Sequence, residues 1–177
     1  MTVSFLGLGS NMGDREGNLL QALSHIHRKC QIIDYSSMYN TAAVGYTDQA
    51  DFLNMVTKID AASHTPENLL KFLKAIEVNM GRKETFRWGP RSIDIDILYM
   101  EGITVKTAEL TIPHRELFNR LFVLVPLSEL TEILTIDGRQ VFLKECVIAA
   151  TGESEQTLET GVTMYKSKRN FAIYGQN

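Results

Sequence analysis

Two aspartates in the middle of the chain have the spacing of a metal site. Asp94 and Asp96 alternate with Ile93, Ile95 and Ile97, so the period of a β-strand would place both carboxylates on one face, with their Cα atoms about 7 Å apart. Two carboxylates at that separation can hold a pair of Mg²⁺ ions, which lie about 3.5–4 Å apart when they clamp a phosphate chain. A solvated strand face would show the same alternation, so the interpretation depends on the neighbouring residues.

Basic residues lie on both sides of these aspartates. Residues 82–91 hold four basic side chains and one acid, although the whole chain has a net charge of −3. The guanidinium group is a planar fork of donors that matches phosphate, and a basic loop on a mildly acidic protein indicates a small anion and not a nucleic acid. Together with the carboxylates, the pattern indicates chemistry on a magnesium-bound nucleotide. The basic residues are Arg82, Lys83, Arg87 and Arg91 before the aspartates and His114, Arg115 and Arg120 after them.

An aromatic ring and an amide lie together in another segment. Phe52 and Asn54 are two positions apart in a stretch with strand character, so they share a face. This pairing suits a flat heterocycle that stacks on the ring and is bound at its edge by hydrogen bonds. The preceding loop, residues 41–45, could present backbone groups to the same ligand. Phe52 and Phe122 would equally suit an ordinary hydrophobic core, and residue type alone leaves that alternative open.

Three glycines near the N-terminus, Gly7, Gly9 and Gly13, follow a predicted strand and precede a predicted helix. Their spacing departs from that of a dinucleotide-binding loop, because Met12 occupies the position of the final glycine, and the chain has no Gly-Lys pair for a P-loop. A tight strand-to-helix turn is therefore favoured over a phosphate cradle.

The elements that must position these residues alternate between strands and helices. Apolar residues at helical spacing, with Thr65 as N-cap, Pro66 at the first helical position and Gly81 as the stop, predict a helix after the third strand. Turn signals at Glu101-Gly102 and Asp137-Gly138 predict hairpins. This mixture favours an α+β fold: a mostly antiparallel sheet flanked by helices, with a ferredoxin-like core in α-β-α layers. The predicted strands are Thr2–Leu8, Ile32–Tyr39, Phe52–Asp60 and the segment around Asp94, and the predicted helices are Arg15–Arg28, Pro66–Met80 and Val141–Ala150.

Length and composition limit the number of domains and the class of protein. With 177 residues, 44% of them hydrophobic, we predict a single domain over residues 1–150 and a tail at 151–177 of unknown role, in which Tyr165–Tyr174 is a candidate edge strand. No apolar run approaches the roughly 20 residues that cross a bilayer, and the N-terminus lacks the basic region of a signal peptide. Cys30 and Cys146 have no metal-type spacing. We therefore expect a cytoplasmic protein with reduced thiols that binds neither membranes nor nucleic acid and is a monomer or a weak homo-oligomer.

The stretch from Arg87 to Ile97, Arg-Trp-Gly-Pro-Arg-Ser-Ile-Asp-Ile-Asp-Ile, resembles at every position the signature R-W-G-P-R-S/T-L/I-D-L/I-D-L/I of the 6-hydroxymethyl-7,8-dihydropterin pyrophosphokinases of folate biosynthesis. The resemblance implies a transfer of pyrophosphate from ATP to the hydroxymethyl group of the pterin, with release of AMP and with two Mg²⁺ ions bound to the ATP. Shorter matches run in order from residue 2 to about 150: Gly9-Ser10-Asn11, Asp51-Phe52-Leu53-Asn54, Ile76-Glu77 with Gly81-Arg82, Pro113-His114, and Asn119-Arg120 with Phe122.

The same resemblance implies a role for each matched residue. Asp94 and Asp96 would bind the two Mg²⁺ ions, and Arg82 and Arg91 would join them as catalytic residues. The implied pterin-binding residues are Thr41, Ala42, Val44, Phe52, Asn54 and Phe122. The implied ATP-binding residues are Arg82, Arg87, Trp88, Arg91, Ile97, Thr111, His114, Arg115 and Arg120.

The chain also departs from the family pattern. The family often has prolines where Ala42 and Ala43 stand, and tyrosines where Phe52 and Arg115 stand. The loop between residues 82 and 88 is one residue shorter than in some relatives. Two other functions stay open on the sequence: another Mg-dependent nucleotidyl- or phosphoryltransferase that uses the two aspartates, and a pterin- or nucleotide-binding module without activity.

Overall fold

The computed structural model describes residues 1–43, 48–82, 89–151 and 161–171. Within these ranges the chain forms ten strands, four α-helices and a 3₁₀-helix at Lys168–Asn170. The strands are β1 (Val3–Ser10), β2 (Gln31–Tyr35), β3 (Met38–Thr41), β4 (Phe52–Asp60), β5 (Asp94–Met100), β6 (Val105–Lys106), β7 (Thr111–Ile112), β8 (Ile133–Ile136), β9 (Arg139–Phe142) and β10 (Val162–Lys166). The α-helices are α1 (Arg15–His27), α2 (Pro66–Asn79), α3 (Leu121–Ser128) and α4 (Leu143–Thr151).

Six of the strands form one antiparallel sheet in which β1 pairs with β4 on one side and β5 on the other. Strands β2 and β3 both pair with β4, and β10 pairs with β3, which gives the order β10-β3-β4-β1-β5 along the main path. Two hairpins, β6–β7 and β8–β9, form small sheets of their own. The register joins Gly9 to both Asn54 and Asp94. The first strand therefore lies between the two groups of polar residues that the sequence singles out.

Helices cover both faces of this sheet, as the sequence predicts, and the expected α+β fold is confirmed. One face packs against α1 and α2 through a cluster that includes Leu6, Leu8, Leu53, Met55, Ile95, Leu19, Leu23, Leu69 and Leu73. The other face packs against α3 through a second cluster that includes Phe5, Val56, Leu98, Val123, Leu124 and Leu127. The alternation of β1, β4 and β5 is what lets each strand contribute to both layers.

The first two helices begin at side-chain caps. The Asp14 carboxylate accepts a hydrogen bond of 2.9 Å from the Gly17 N–H at the start of α1. The Thr65 hydroxyl accepts one of 3.3 Å from the Asn68 N–H at the start of α2, where Pro66 takes the first helical position as predicted. Every helix in the described ranges is too short or too polar to cross a membrane.

The segment predicted as one strand over Ile32–Tyr39 is two strands, β2 and β3, with a break at Ser36 and Ser37. The serines find partners outside a continuous ladder: the Ser36 hydroxyl accepts from the Val56 N–H at 2.9 Å, and the Ser37 N–H donates to the Glu129 carboxylate at 3.0 Å. Serine side chains that bond nearby backbone groups interrupt regular strands in this way.

The predicted turn at Asp137-Gly138 joins β8 to β9, and both residues have positive φ, 49° and 77°. Such a pair matches the tight hairpin turn in which two consecutive residues adopt positive φ. The last helix begins at Leu143 and not at the predicted Val141, because Val141 pairs with Leu134 in this hairpin.

Helix α3 is missing from the sequence prediction. Its residues, LFVLVPLS, are apolar on all sides and include Pro126, so they show neither helical periodicity nor a helix-compatible composition. The helix is buried between the sheet and α4. Burial on several sides removes the polar face that makes a helix recognisable from its sequence.

The end of the chain adds a strand to the sheet. Strand β10 pairs with β3, with Val162 opposite Thr41 and Met164 opposite Tyr39. It begins three residues before the candidate edge strand at Tyr165–Tyr174 and ends at Lys166, and a 3₁₀-helix follows at Lys168–Asn170. The predicted bounds of this strand are therefore wrong, and its residues 172–174 lie outside the described ranges. The division of the chain at residue 150 stays a prediction.

Candidate functional site

A row of three residues crosses the centre of the sheet on one face. Gly9 in β1 pairs with Asn54 in β4 and with Asp94 in β5, and directly paired residues point to the same side. A Cβ atom at Gly9 would lie 2.8 Å from Asn54 Oδ1 and 3.6 Å from Phe52 Cδ1. Glycine therefore leaves a shallow floor between a carboxylate and an amide. Only Gly13, with φ of 62°, lies in the turn that the sequence predicted for all three glycines.

The two aspartates of β5 lie on this same face. Ile93, Ile95 and Ile97 are at most 2% exposed and pack in the cluster beneath α1 and α2, while Asp94 and Asp96 alternate with them and are partly exposed. Gly7 pairs with Asp96 as Gly9 pairs with Asp94. The isoleucines anchor the strand, and the opposite face presents two carboxylates over glycines.

Two arginines bind the first carboxylate. Arg82 Nη1 donates to Asp94 Oδ1 at 2.6 Å, and Arg91 Nη1 donates to Asp94 Oδ2 at 2.8 Å. Burial raises the pKa of Asp94, but the charges of Arg91 and Arg82 outweigh burial and the net pKa lies below its usual value. For Asp96, burial and the neighbouring charge of Asp94 raise the pKa. Of the two carboxyl groups, Asp94 is thus the one that ionises more readily.

A buried carboxylate below the site links α2 to β5. Glu77 is 2% exposed and accepts hydrogen bonds from the Ile95 N–H at 2.7 Å and from Lys74 Nζ at 3.0 Å. It also forms an ion pair of 2.7 Å with Arg82. Burial raises the pKa of Glu77, and Lys74, Ile95 and Arg82 oppose that effect. Glu77 therefore fixes both the strand of the aspartates and one of their arginines.

The sequence prediction gave Glu77 no role in the site, although a signal for it exists. Glu77 follows Leu73 by four residues, on the buried stripe of α2. A charge in that stripe requires a partner of opposite charge or a set of hydrogen bonds. Its position two residues before the helix end at Asn79 also places it near Arg82.

The amide at the other end of the row is held in place. Asn54 Nδ2 donates a hydrogen bond of 2.7 Å to Thr41 Oγ1, and both residues are buried, at 7% and 6% exposure. The Asn54 oxygen lies over Gly9. Phe52 pairs with Thr41 across β3 and β4. The ring, the amide and the hydroxyl thus form one wall on the same face of the sheet as the aspartates.

Phe122, Arg120 and His114 approach this face from the α3 side. Phe122 packs against the cluster that contains Val56 and Leu98, and the Arg120 guanidinium lies 5.6 Å from the centre of its ring. The His114 N–H donates to the Leu98 carbonyl at 2.8 Å, which holds the histidine beside β5.

The surroundings of His114 favour a neutral imidazole ring that can donate a hydrogen bond. Its Nδ1 accepts a hydrogen bond of 3.2 Å from the Glu116 N–H, so the neutral ring carries its proton on Nε2. Burial lowers the pKa of His114, the charge of Asp96 opposes that, and Arg120 and Arg115 lower it further. Near neutral pH the ring can therefore donate one hydrogen bond without adding a charge.

The other predicted site residues fall into three groups. Ile97 is 2% exposed with its side chain in the core, so only its backbone could meet a ligand. Ala42 and Arg115 are exposed, and Thr111 is half-buried in β7. Val44, Arg87 and Trp88 lie outside the described residues.

The donor set at the aspartates fits a hard divalent cation. Within the described ranges no group of three or more His, Cys, Asp or Glu side chains could hold a metal ion, so Asp94 and Asp96 stand as a pair. A pair of carboxylates is the usual protein share for Mg²⁺, which takes its remaining ligands from water and substrate phosphates. The two oxygens of Asp94 that the arginines occupy are the ones a cation would need.

One protein family matches most of this chain. The family model described as 7,8-dihydro-6-hydroxymethylpterin-pyrophosphokinase (HPPK) matches residues 5–132. The 2-amino-4-hydroxy-6-hydroxymethyldihydropteridine pyrophosphokinase of Bacillus subtilis is 38% identical over 168 residues, which cover 94% of this chain and 92% of that protein. The protein of the same name from Methylorubrum extorquens is 43% identical over 143 residues, which cover 80% of this chain and 90% of that protein.

Larger proteins contain a similar region. A crystal structure of a Plasmodium falciparum HPPK-DHPS variant superposes with a TM-score of 0.70 at 14% identity, over 92% of this chain and 48% of that one. A second structure, of HPPK-DHPS in complex with substrates, gives a TM-score of 0.67 at 14% identity, over 86% of this chain and 46% of that one. The chain thus spans about half the length of these solved structures, and at such identity they show the fold.

Proposed function

Because the chain belongs to the 7,8-dihydro-6-hydroxymethylpterin-pyrophosphokinase family, we propose that it transfers the β,γ-pyrophosphoryl group of ATP to the hydroxymethyl oxygen of 6-hydroxymethyl-7,8-dihydropterin and releases AMP. The row of Asn54, Gly9 and Asp94 carries this proposal. Neighbouring strands lie about 4.8 Å apart, so the Cα atoms at its ends are about 10 Å apart. A heterocycle at the amide end and a phosphate chain at the carboxylate end would meet over the glycine.

Asp94 and Asp96 would hold two Mg²⁺ ions together with the phosphates of ATP. The support is their shared face, their partial exposure and the hard oxygen donors that they offer. The chemistry that bound Mg²⁺ supplies is neutralisation of the negative charge on the phosphate oxygens. The isoleucines on the opposite face keep the two carboxylates at a fixed separation.

Arg82 and Arg91 would turn from Asp94 to the phosphates when the nucleotide binds. Both guanidinium groups now neutralise the carboxylate, and a bound cation would take over that role. Each arginine could then offer its donors to the transferred group, where charge stabilisation lowers the barrier. Glu77 would stay in contact with Arg82 during this exchange and would limit how far it moves.

The pterin would bind on the wall formed by Thr41, Phe52 and Asn54, with Phe122 as the second ring. The amide offers a donor and an acceptor to the edge of a heterocycle, and a ring offers a stacking surface. Ala42 and Val44 would contribute backbone groups. The hydroxymethyl oxygen would attack the β-phosphorus in line, forming the new O–P bond as the bond to the AMP oxygen breaks, and the hydroxyl proton would pass to water.

ATP would extend from the aspartates toward the residues after β5. His114, Arg115 and Arg120 would meet the triphosphate. Arg87 and Trp88, which lie outside the described residues, would contribute from the segment before β5. The backbone of Ile97 and Thr111 would meet the adenine. The support for this direction is that His114 is bonded to Leu98 of β5, two residues beyond Asp96.

A product assay tests the proposed function. The purified chain is incubated with Mg²⁺ and ATP, with and without 6-hydroxymethyl-7,8-dihydropterin, and the nucleotides are separated by chromatography. We expect AMP that forms only with the pterin, in a one-to-one ratio with the pterin diphosphate. ADP as the nucleotide product would indicate a single phosphoryl transfer, and no pterin-dependent product would indicate a binding module; either result contradicts the proposal.

A further inference from the structure

A carboxylate far from the reacting groups connects α3 to β3, the two elements that carry residues of the proposed pterin site. Glu129 directly follows α3, and its Oε1 and Oε2 accept hydrogen bonds from the Ser37 N–H at 3.0 and 3.2 Å. Its Oε2 accepts a further bond from Ser37 Oγ at 3.0 Å, and its Oε1 one from the Tyr39 hydroxyl at 2.7 Å. Three donors from the start of β3 therefore meet a single side chain from the end of α3.

The two elements joined at Glu129 carry pterin-site residues at their other ends. Phe122 lies near the start of α3, seven residues before Glu129, which is about 10 Å along a helix. Thr41 lies two residues after Tyr39, about 7 Å along a strand, and Tyr39 pairs directly with Asn54. A shift of α3 against β3 would therefore change the gap between the Phe122 ring and the amide wall.

We propose that Glu129 is a positioning residue of the pterin site: by binding Ser37 and Tyr39 it sets the separation of α3 and β3 and so the width of the site between Phe122 and Asn54. This inference rests on the proposed function. The family features found in the sequence place no functional residue at Glu129, Ser37 or Tyr39.

The contact is partly buried and charge-assisted, so it can hold α3 firmly against β3. Ser37 and Tyr39 are 2% and 6% exposed. Hydrogen bonds to a carboxylate are shorter and about twice as strong as those between neutral groups. Burial, followed by the hydrogen bond and the charge of Glu129, raises the pKa of Tyr39. The tyrosine therefore stays a donor over the whole working range of pH.

The C-terminal segment supports the same serine from the other side. The Ser37 hydroxyl accepts a hydrogen bond of 3.1 Å from the Lys168 N–H, while Lys168 Nζ forms an ion pair of 3.1 Å with Asp34 at the end of β2. Strand β10 pairs with β3 along Tyr39, Asn40 and Thr41. Strand β3 is thus held between the C-terminal strand and β4, and Glu129 fixes it against the helix above.

Steady-state kinetics of Glu129→Gln and Tyr39→Phe test the proposal. Glutamine keeps the shape of the side chain but removes its charge and one acceptor, and phenylalanine removes only the hydroxyl. We expect each variant to raise the KM for the pterin about tenfold, because each loses a charge-assisted bond, with the KM for ATP changed less than about twofold. Glu132→Gln, three residues along and exposed, is the matched control and should change neither KM.

The double variant sharpens the test. The Glu129 and Tyr39 side chains share one hydrogen bond. The rise in the pterin KM of the double variant should therefore fall well below the product of the rises in the two single variants. A pterin KM that stays constant while the melting temperature falls, or equal rises in both KM values, would overturn the proposal. If Glu129→Gln folds poorly, Tyr39→Phe decides alone. Failure of the unaltered chain to form AMP with the pterin would instead refute the proposed function.

Discussion

Replacing Gly9 with alanine perturbs the row of Asn54, Gly9 and Asp94 at its centre. The added Cβ would lie 2.8 Å from Asn54 Oδ1, whereas carbon–oxygen contacts need about 3.3 Å, so the amide must move by about 0.5 Å. That movement strains the 2.7 Å hydrogen bond to Thr41. Leaving a buried polar group poorly bonded costs about 1–3 kcal/mol, so we expect the pterin KM to rise roughly 5- to 150-fold.

The assay is AMP formation at saturating Mg²⁺ and ATP with varied pterin, and Gly7→Ala is its control. Neither Gly7 nor Gly9 has a positive φ, so alanine strains the backbone at neither position. A Cβ at Gly7 would lie 3.2 Å from a Leu98 methyl group. The flexible Leu98 side chain can rotate and so relieve this close contact. We expect the pterin KM of Gly7→Ala to change less than about twofold. An unchanged KM for Gly9→Ala, or an equal rise for both variants, would refute the reasoning.

Three further predictions concern single side chains. Glu77→Gln should lower the free energy of unfolding by about 1–3 kcal/mol in urea titrations, because Lys74 and Arg82 lose their shared carboxylate; an unchanged midpoint would contradict this. Phe122→Ala should raise the pterin KM about tenfold by removing a stacking surface, and an unaltered KM would exclude that role. Burial, with the charge of Asp60, raises the pKa of Cys30 to about 11. Cys30 should therefore resist iodoacetamide at pH 8 in the folded chain and react in urea, as mass spectrometry can show.

The part of the fold that the sequence predicts is the part that depends on local patterns. The alternation of Asp94 and Asp96 with isoleucines identifies β5 and its two faces. Thr65 and Pro66 mark the start of α2, and the positive φ of Asp137 and Gly138 explains why their sequence signals a turn. Each of these features results from neighbours within a few residues, so a single sequence contains all the information required.

The features of the fold and the site that the sequence does not predict depend on contacts between distant segments. The sequence shows three glycines near the N-terminus, but only the register of β1 reveals that Gly9 separates Asn54 from Asp94. The partners of Glu77 and Glu129 come from elements far along the chain, Ile95 in one case and Ser37 in the other. Strand pairing and buried ion contacts have no local signature, because tertiary packing decides them.

Side-by-side kinetics of Asp96→Ala and Asn54→Ala test most directly whether one sheet face divides into a metal–phosphate end and a pterin end. We predict that Asp96→Ala loses at least about 1000-fold in kcat through lost charge stabilisation, whereas Asn54→Ala mainly raises the pterin KM, by about tenfold or more. Normal turnover by Asp96→Ala, or an unchanged pterin KM for Asn54→Ala, would contradict this division of the site.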